Sequence, residues 1–150
     1  MFDPATGAVT GTIPLTNPTD MSMTPDGSKV YVLHGSGSAS VTVIDVATML
    51  ATSTIAIGGG TPTGGLAVSP DGSMVFVNPD LFSNISVINT VTDGVMGSVS
   101  AGSLTDRVVF AVDGLSALLW GITTLNWIDL LGAPTGSLDL AYVILVLLMF

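Results

Sequence analysis

The chain has 150 residues, which is enough for one domain with a sizeable core. Apolar residues make up 48% of it and charged residues only 9%, and two cations stand against eleven acids for a net charge of −9. Two cations cannot neutralise a phosphate backbone, and an anionic membrane surface repels such a chain. We therefore expect partners that are neither nucleic acid nor membrane.

The residue types favour an all-β chain and limit its chemistry. All eleven acids are Asp, and the sequence contains no Glu, Gln or Cys. Good helix formers of protein surfaces are therefore scarce, while Asp, Gly, Thr, Ser and Val favour turns and strands. Without Cys the chain has no disulfide, no thiolate zinc ligand and no thiol nucleophile. Because Lys and Glu are so rare, we expect an extracellular or cell-surface location.

A repeat of 40 to 45 residues is the most informative pattern in the chain. Thr24-Pro25-Asp26-Gly27-Ser28 returns as Ser69-Pro70-Asp71-Gly72-Ser73, and a weaker copy surrounds Asp113-Gly114. A period of this size, with short apolar runs between turns, indicates stacked supersecondary units. A second marker recurs at Phe2-Asp3, Ile44-Asp45, Ile88-Asn89 and Ile128-Asp129.

Each unit is predicted to contain four short strands. Before the first full unit, a turn at residues 4–7 leads into a strand at residues 9–15. Pro and Gly preset the backbone angles of the repeated Pro-Asp-Gly turns, which therefore separate the first two strands of a unit. The predicted strands are residues 21–24, 29–33, 41–45 and 52–57 in the first unit, 66–68, 74–78, 85–88 and 95–99 in the second, and 107–111, 116–120, 125–129 and 137–140 in the third.

Four-stranded units at this spacing resemble the blades of a β-propeller. More narrowly, they resemble the surface-protein repeat named for a Tyr-Val-Thr-Asn (YVTN) motif, in the seven-bladed propeller superfamily. The resemblance implies a surface or interaction role without a defined chemistry or cofactor. The segments that carry it are Ser69-Pro70-Asp71-Gly72, Val75-Phe76-Val77-Asn78, Ile85-Ser86-Val87-Ile88-Asn89 and Val41-Thr42-Val43-Ile44-Asp45-Val46-Ala47-Thr48.

The repeats predict a propeller-like domain over residues 1–139, with units at about 1–19, 20–64, 65–106 and 107–139. Closed propellers have typically four to eight blades, so about three blades form an incomplete ring within one chain. Three explanations remain open: a fragment of a longer propeller, an arc completed by partner chains, or a final segment that has left the repeat. The open sheet edges favour pairing with another chain.

Residues 140–150 are predicted to form an apolar terminal strand, which a partner could exchange. This run is shorter than the roughly 20 residues of a membrane helix, and its composition suits a strand buried on both faces. We expect it to add to a sheet edge of a second copy or of another protein. The predicted assembly interface consists of Tyr142, Val143, Ile144, Leu145, Val146, Leu147, Leu148 and Met149.

The sequence offers few candidates for chemistry. His34 is the only histidine and lies at a strand end, so we interpret it as a structural residue rather than a metal ligand or general base. Gly58-Gly59-Gly60 lacks the Lys and the helix of a phosphate loop and is interpreted as a connection between units. Calcium binds oxygen ligands, and Asn78, Asp80 and Asp106 are the candidates for such ligands. We interpret the acids instead as residues that stabilise turns.

Two further patterns concern recognition. Asn84-Ile85-Ser86 fits the N-glycosylation pattern, so Asn84 is a candidate attachment site. Trp120 and Trp127 flank a hairpin and are interpreted as packing residues rather than as a sugar-binding patch.

We predict no catalytic residue, no metal site and no cofactor. The leading function is a non-enzymatic structural module that forms homo-oligomers or binds other protein chains through its open sheet edges, for which we expect the terminal strand at residues 142–149 and the leading strand at residues 9–15. One alternative is a propeller that binds glycan or peptide on the loops at residues 35–40, 79–83 and 121–124. Another is a fragment of a larger propeller enzyme.

Overall fold

The computed structural model describes residues 5–9, 11–80 and 84–99, and beyond them the backbone of four strands between residues 105 and 139. In these residues the chain forms strands and turns and no helix, so none that is long and apolar enough to span a membrane. The fold is therefore all-β, as the composition predicts.

The described residues form twelve strands in three sheets of four. In every sheet the strands follow one another in chain order and pair antiparallel with their neighbours. The first sheet contains β1 (Pro18–Met23), β2 (Lys29–Gly35), β3 (Ala39–Asp45) and β4 (Leu50–Gly58). The second contains β5 (Leu66–Val68), β6 (Met74–Val77), β7 (Ile85–Asn89) and β8 (Gly94–Val99), and the third contains β9 (Thr105–Phe110), β10 (Ser116–Gly121), β11 (Thr124–Asp129) and β12 (Gly136–Asp139).

The three sheets stack in chain order. Strand β5 contacts both β1 and β9, and β4 contacts β8, so corresponding strands of successive sheets lie side by side. Two apolar clusters fill the spaces between the sheets. Tyr31, Leu33 and Val41 of the first sheet pack with Val75 and Val77 of the second. On the other side of the second sheet, a smaller cluster contains Phe76, Ile85, Val87 and Val108.

This arrangement is that of propeller-type blades. The predicted strands are confirmed in all three units, with ends that shift by up to three residues. The sequence pattern works here because successive side chains of a strand point to the two opposite faces of its sheet. In β6, for example, Val75 and Val77 pack toward the first sheet, whereas Phe76 packs toward the third.

The predicted leading strand at residues 9–15 is wrong. Val9 forms a single bridge, and residues 11–15 are not in a strand. The physical reason is that these residues lie against the face of the first sheet, where Ile13 and Leu15 line a groove. A segment that packs on a sheet face does not share the ladder hydrogen bonds that define a strand. The predicted terminal strand at residues 140–150 lies outside the described residues.

Candidate functional site

The two Pro-Asp-Gly turns have the same hydrogen-bond network, which is structural. The Asp26 carboxylate accepts from the Thr24 hydroxyl at 2.6 Å and from the Ser28 amide at 3.0 Å. Asp71 accepts from the Ser69 hydroxyl at 2.5 Å and from the Ser73 amide at 3.0 Å. The hydroxyl of Thr24, and then the Ser28 amide, lower the pKa of Asp26 to about 2. Both acids are thus held as carboxylates by the turns that they close.

A second network explains the other repeated marker. Asp45 accepts from the Thr48 amide and the Thr48 hydroxyl, both at 2.7 Å, and these bonds lower the pKa of Asp45. Asn89 accepts from the Thr92 amide at 3.0 Å in the matching turn of the second sheet. The recurring Asp or Asn therefore closes the turn between the third and fourth strands of a sheet.

The first and second sheets are joined by a cluster around Asp93. The Lys29 ammonium lies 2.8 Å from one carboxylate oxygen of Asp93 and also donates to the Thr90 carbonyl at 2.8 Å. The Tyr31 hydroxyl donates to the other oxygen at 2.6 Å. Burial, and next the hydrogen bond to Asp93, raise the pKa of Tyr31 above its ordinary value. The phenol therefore stays protonated and acts as a donor.

Sequence reasoning missed this cluster, because its partners lie 61 to 64 residues apart. The one available signal was the rarity of cations: a lone Lys in a strongly acidic chain is expected to find an acidic partner. Its position at the start of β2 did not indicate which acid.

His34 belongs to a polar row on one face of the first sheet. Its Nε2 lies 2.8 Å from the Thr42 hydroxyl, which lies 3.0 Å from the Thr54 hydroxyl. Its Nδ1 is buried, with no hydrogen-bond partner among the described residues. The structural interpretation of His34 is consistent with this row. In the part of the chain that the structure describes, no three His or Asp side chains come close enough to hold a metal ion.

The other candidate residues are dispersed. Gly58-Gly59-Gly60 lies in the connection between the first two sheets, where the Gly60 amide donates to Asp80 at 2.9 Å. Asn78 is fully buried. Asn84 is exposed directly before β7, which leaves its glycosylation a prediction. The backbones of Asp106, Trp120 and Trp127 lie in the third sheet, and their side chains, like residues 81–83, 122–123 and 142–149, are outside the described residues.

An apolar face of the first sheet is the feature that best fits an interaction site. An open groove of about 650 Å³ lies on this face. It is bordered by alternate residues of β1 and β2, by β3 and by the turn after β3. Met21 is 70% exposed and Met23 is 56% exposed, although both lie within a strand. Residues 11–15 form one wall of the groove. We call this surface the open face; its side chains are Met21, Met23, Val30, Val32, Ile44 and Met49, of which Val32 is already buried.

Exposed methionines at alternate positions of β1, the edge strand of the first sheet, form part of a contiguous apolar patch. Such patches normally mark contact with another molecule. The opposite face of the same sheet shows the contrast. There Tyr31, Leu33 and Val41 are fully buried by the second sheet. One face of the first sheet is thus covered by a neighbouring sheet, and the other is not covered by any described residue except those of the wall at 11–15.

Comparison with known proteins supports the fold. No family model matches the chain, and no curated protein is similar to it in sequence. Among solved structures, hydrazine synthase from Kuenenia stuttgartiensis is similar, with a TM-score of 0.68 and 26% identity over 82% of this chain. The chain spans 36% of the length of that solved chain.

In all, 410 solved chains match, and a fold shared so widely is compatible with many functions. The likeness to hydrazine synthase, a propeller-containing protein, agrees with the three stacked four-stranded sheets. Membership of the narrower YVTN group stays a prediction. The chain is therefore an all-β array of propeller-type blades with an apolar face at its first blade.

Proposed function

We propose that this chain is a non-enzymatic structural module that associates with copies of itself or with another protein, outside the cell or at its surface. The observation that carries the proposal is the open face. Burial of apolar side chains is the main favourable term in protein association, and the open face offers several at once. The groove between them gives that face a shape that a partner can fill.

The polar groups of the described residues are consistent with a structural role. Asp26, Asp45 and Asp71 close turns, Asp93 joins two sheets and His34 contacts Thr42. General acid–base catalysis needs a titratable group that can reach a substrate, and these groups are engaged with their own chain. The scarcity of Lys and Glu supports a location outside the cell or at its surface.

Sedimentation of the full chain tests the proposal. We expect a particle heavier than one chain at micromolar concentration, and a monomer throughout the accessible range would contradict self-association. A variant lacking residues 141–150 tests the predicted terminal interface. If that segment adds to a partner's sheet edge, the variant loses association or solubility; a soluble variant with unchanged association would remove residues 142–149 from the interface.

A further inference from the structure

The sequence repeat relates the open face to the face of the second sheet that packs against the first sheet. Val30 and Val32 stand 45 residues before Val75 and Val77, at the same positions of their units. Val75 and Val77 are fully buried, in the cluster between the second sheet and the first. The open face therefore has the positions of a blade-to-blade surface.

The surface that covers Val75 and Val77 shows which kind of surface packs against a face of this type. It is the opposite side of the first sheet, where Tyr31 and Val43 are Cα partners. The third sheet has Leu118 and Trp127 as Cα partners in the same two strands of the unit. In the first sheet, Tyr31 and Val43 occupy the positions that pack against the next sheet. The third sheet has large apolar residues, Leu118 and Trp127, at these same positions.

The ion pair of the internal interface has no counterpart at the matching positions of these two surfaces. Lys29 and Asp93 form an ion pair between the first and second sheets. At the position of Lys29 the third unit has Ser116, and at the position of Asp93 the first unit has Met49, which lines the groove. A contact between the two surfaces therefore leaves neither member of this ion pair without its partner, which would be costly in an interface. It does include Arg107, which the third unit has at the position of Asp20; the Asp20 carboxylate accepts from the Leu66 amide across the internal interface.

We propose that the open face of the first sheet binds the third sheet of a second copy of this chain, head to tail. This inference rests on the proposed self-association and names its partner and polarity. The contact is heterologous, since it joins two different surfaces. Two copies joined at both ends contain six sheets, a number within the range of closed propellers.

Two variants test the polarity of the contact by mixing. Met21→Asp/Met23→Asp places charge on the open face at exposed positions, and Leu118→Asp places it on the third sheet. In a head-to-tail pair each variant alone is monomeric. An equimolar mixture forms a heterodimer, because one of its two interfaces is intact. Sedimentation measures all three samples, and circular dichroism confirms that the variants keep their strand signal.

The outcomes separate this inference from the proposed function. A monomeric unmodified chain overturns the head-to-tail contact and the proposed self-association, and leaves association with another protein as the proposed function. A dimeric Leu118→Asp variant, or two folded monomeric variants that do not form a dimer when mixed, overturns only the head-to-tail contact. The first of these results leaves two contacts to distinguish, the pairing of two open faces and the terminal strand predicted at residues 142–149, and the variant lacking residues 141–150 separates them.

A disulfide version decides the matter if Leu118→Asp fails to fold. The chain has no Cys, so single-cysteine variants are free of background thiols. Met21→Cys and Leu118→Cys, mixed and oxidised, are expected to give a mixed disulfide dimer, with little product from either variant alone. A disulfide dimer of Met21→Cys alone, or no disulfide in the mixture, contradicts the inference.

Discussion

Single side chains explain why the repeat is visible in the sequence. Asp26 and Asp71 accept hydrogen bonds from the residues two before and two after them, and Asp45 and Asn89 accept from the residue three after. Each of these turns needs one acceptor at one position, because the backbone amides of a turn have no ladder partner. The markers therefore recur at the period of the sheets.

Asp26→Asn is expected to reduce the acid sensitivity of the fold. The folded pKa of Asp26, about 2, lies below the ordinary value of 3.8. Its carboxylate therefore stabilises the folded state above about pH 4, and this contribution is lost as the pH falls toward 2. In urea denaturation the variant should be less stable than the unmodified chain at pH 7, and the difference should shrink between pH 4 and pH 2.

Asp71→Asn serves as the matched comparison. As at Asp26, hydrogen bonds lower the pKa of this carboxyl group; here they come from the Ser69 hydroxyl and then from the Ser73 amide. Both variants should show the same trend with pH. A stability difference that stays constant from pH 7 to pH 2 would mean that the charge of these carboxylates is not responsible.

Gly64→Ala should be among the most destabilising single changes in the connection between the first two sheets. A Cβ at Gly64 would overlap the backbone carbonyl of Asn78, and a backbone atom cannot move away as a flexible side chain can. We expect a loss of about 2 kcal/mol in the free energy of unfolding, measured by urea denaturation. Gly97→Ala is the control, since a Cβ there meets no atom within 4 Å.

At the scale of elements, the sequence predicted the strands but not the contacts between sheets. Period-two alternation and Pro-Asp-Gly turns are local signals, so all three units were predicted as they are observed. Where residues 11–15 pack could not be predicted from neighbouring residues along the chain. Pro14 lacks the N–H that a strand ladder needs and so disfavours a strand at this place, but only the tertiary structure shows that Ile13 and Leu15 pack on the face of the first sheet.

The ion pair between Lys29 and Asp93 should couple the first two sheets. Both side chains are partly exposed, 28% and 19%, so we expect a coupling of about 1 kcal/mol rather than the larger values of buried pairs. A double-mutant cycle with Lys29→Met and Asp93→Asn measures it by urea denaturation. Asn suits position 93 because it tolerates the positive φ of 50° found there.

Additive effects of the two substitutions would contradict this coupling. Tyr31→Phe provides a separate measurement on the same carboxylate, because it removes one donor to Asp93 and leaves the Lys29 contact in place. It should lower the stability without abolishing the coupling between Lys29 and Asp93.

At the scale of the whole molecule, charge and the apolar open face act in opposite directions. Each copy carries a net charge of −9, so two copies repel each other at low ionic strength. Salt screens this repulsion over a length of about 10 Å at 0.1 M. The proposed contact itself contains no ion pair that salt would weaken.

Self-association should therefore strengthen as salt is added. We expect the dissociation constant, measured by sedimentation equilibrium at pH 7, to fall between 20 mM and 500 mM sodium chloride. The Met21→Asp/Met23→Asp variant is the control and should stay monomeric at both salt concentrations. A dissociation constant that rises with salt would indicate that attractive charges hold the copies together.

The sequence by itself determined the all-β class, the period of the units and nearly every strand, because alternation and turn residues are properties of neighbours along the chain. The tertiary structure decided which faces meet. It placed Tyr31 and Leu33 in a core between two sheets and left Met21 and Met23 exposed on the other side of the same sheet. Both sets alternate in the same way, and only the presence of a neighbouring sheet distinguishes a buried face from an open one.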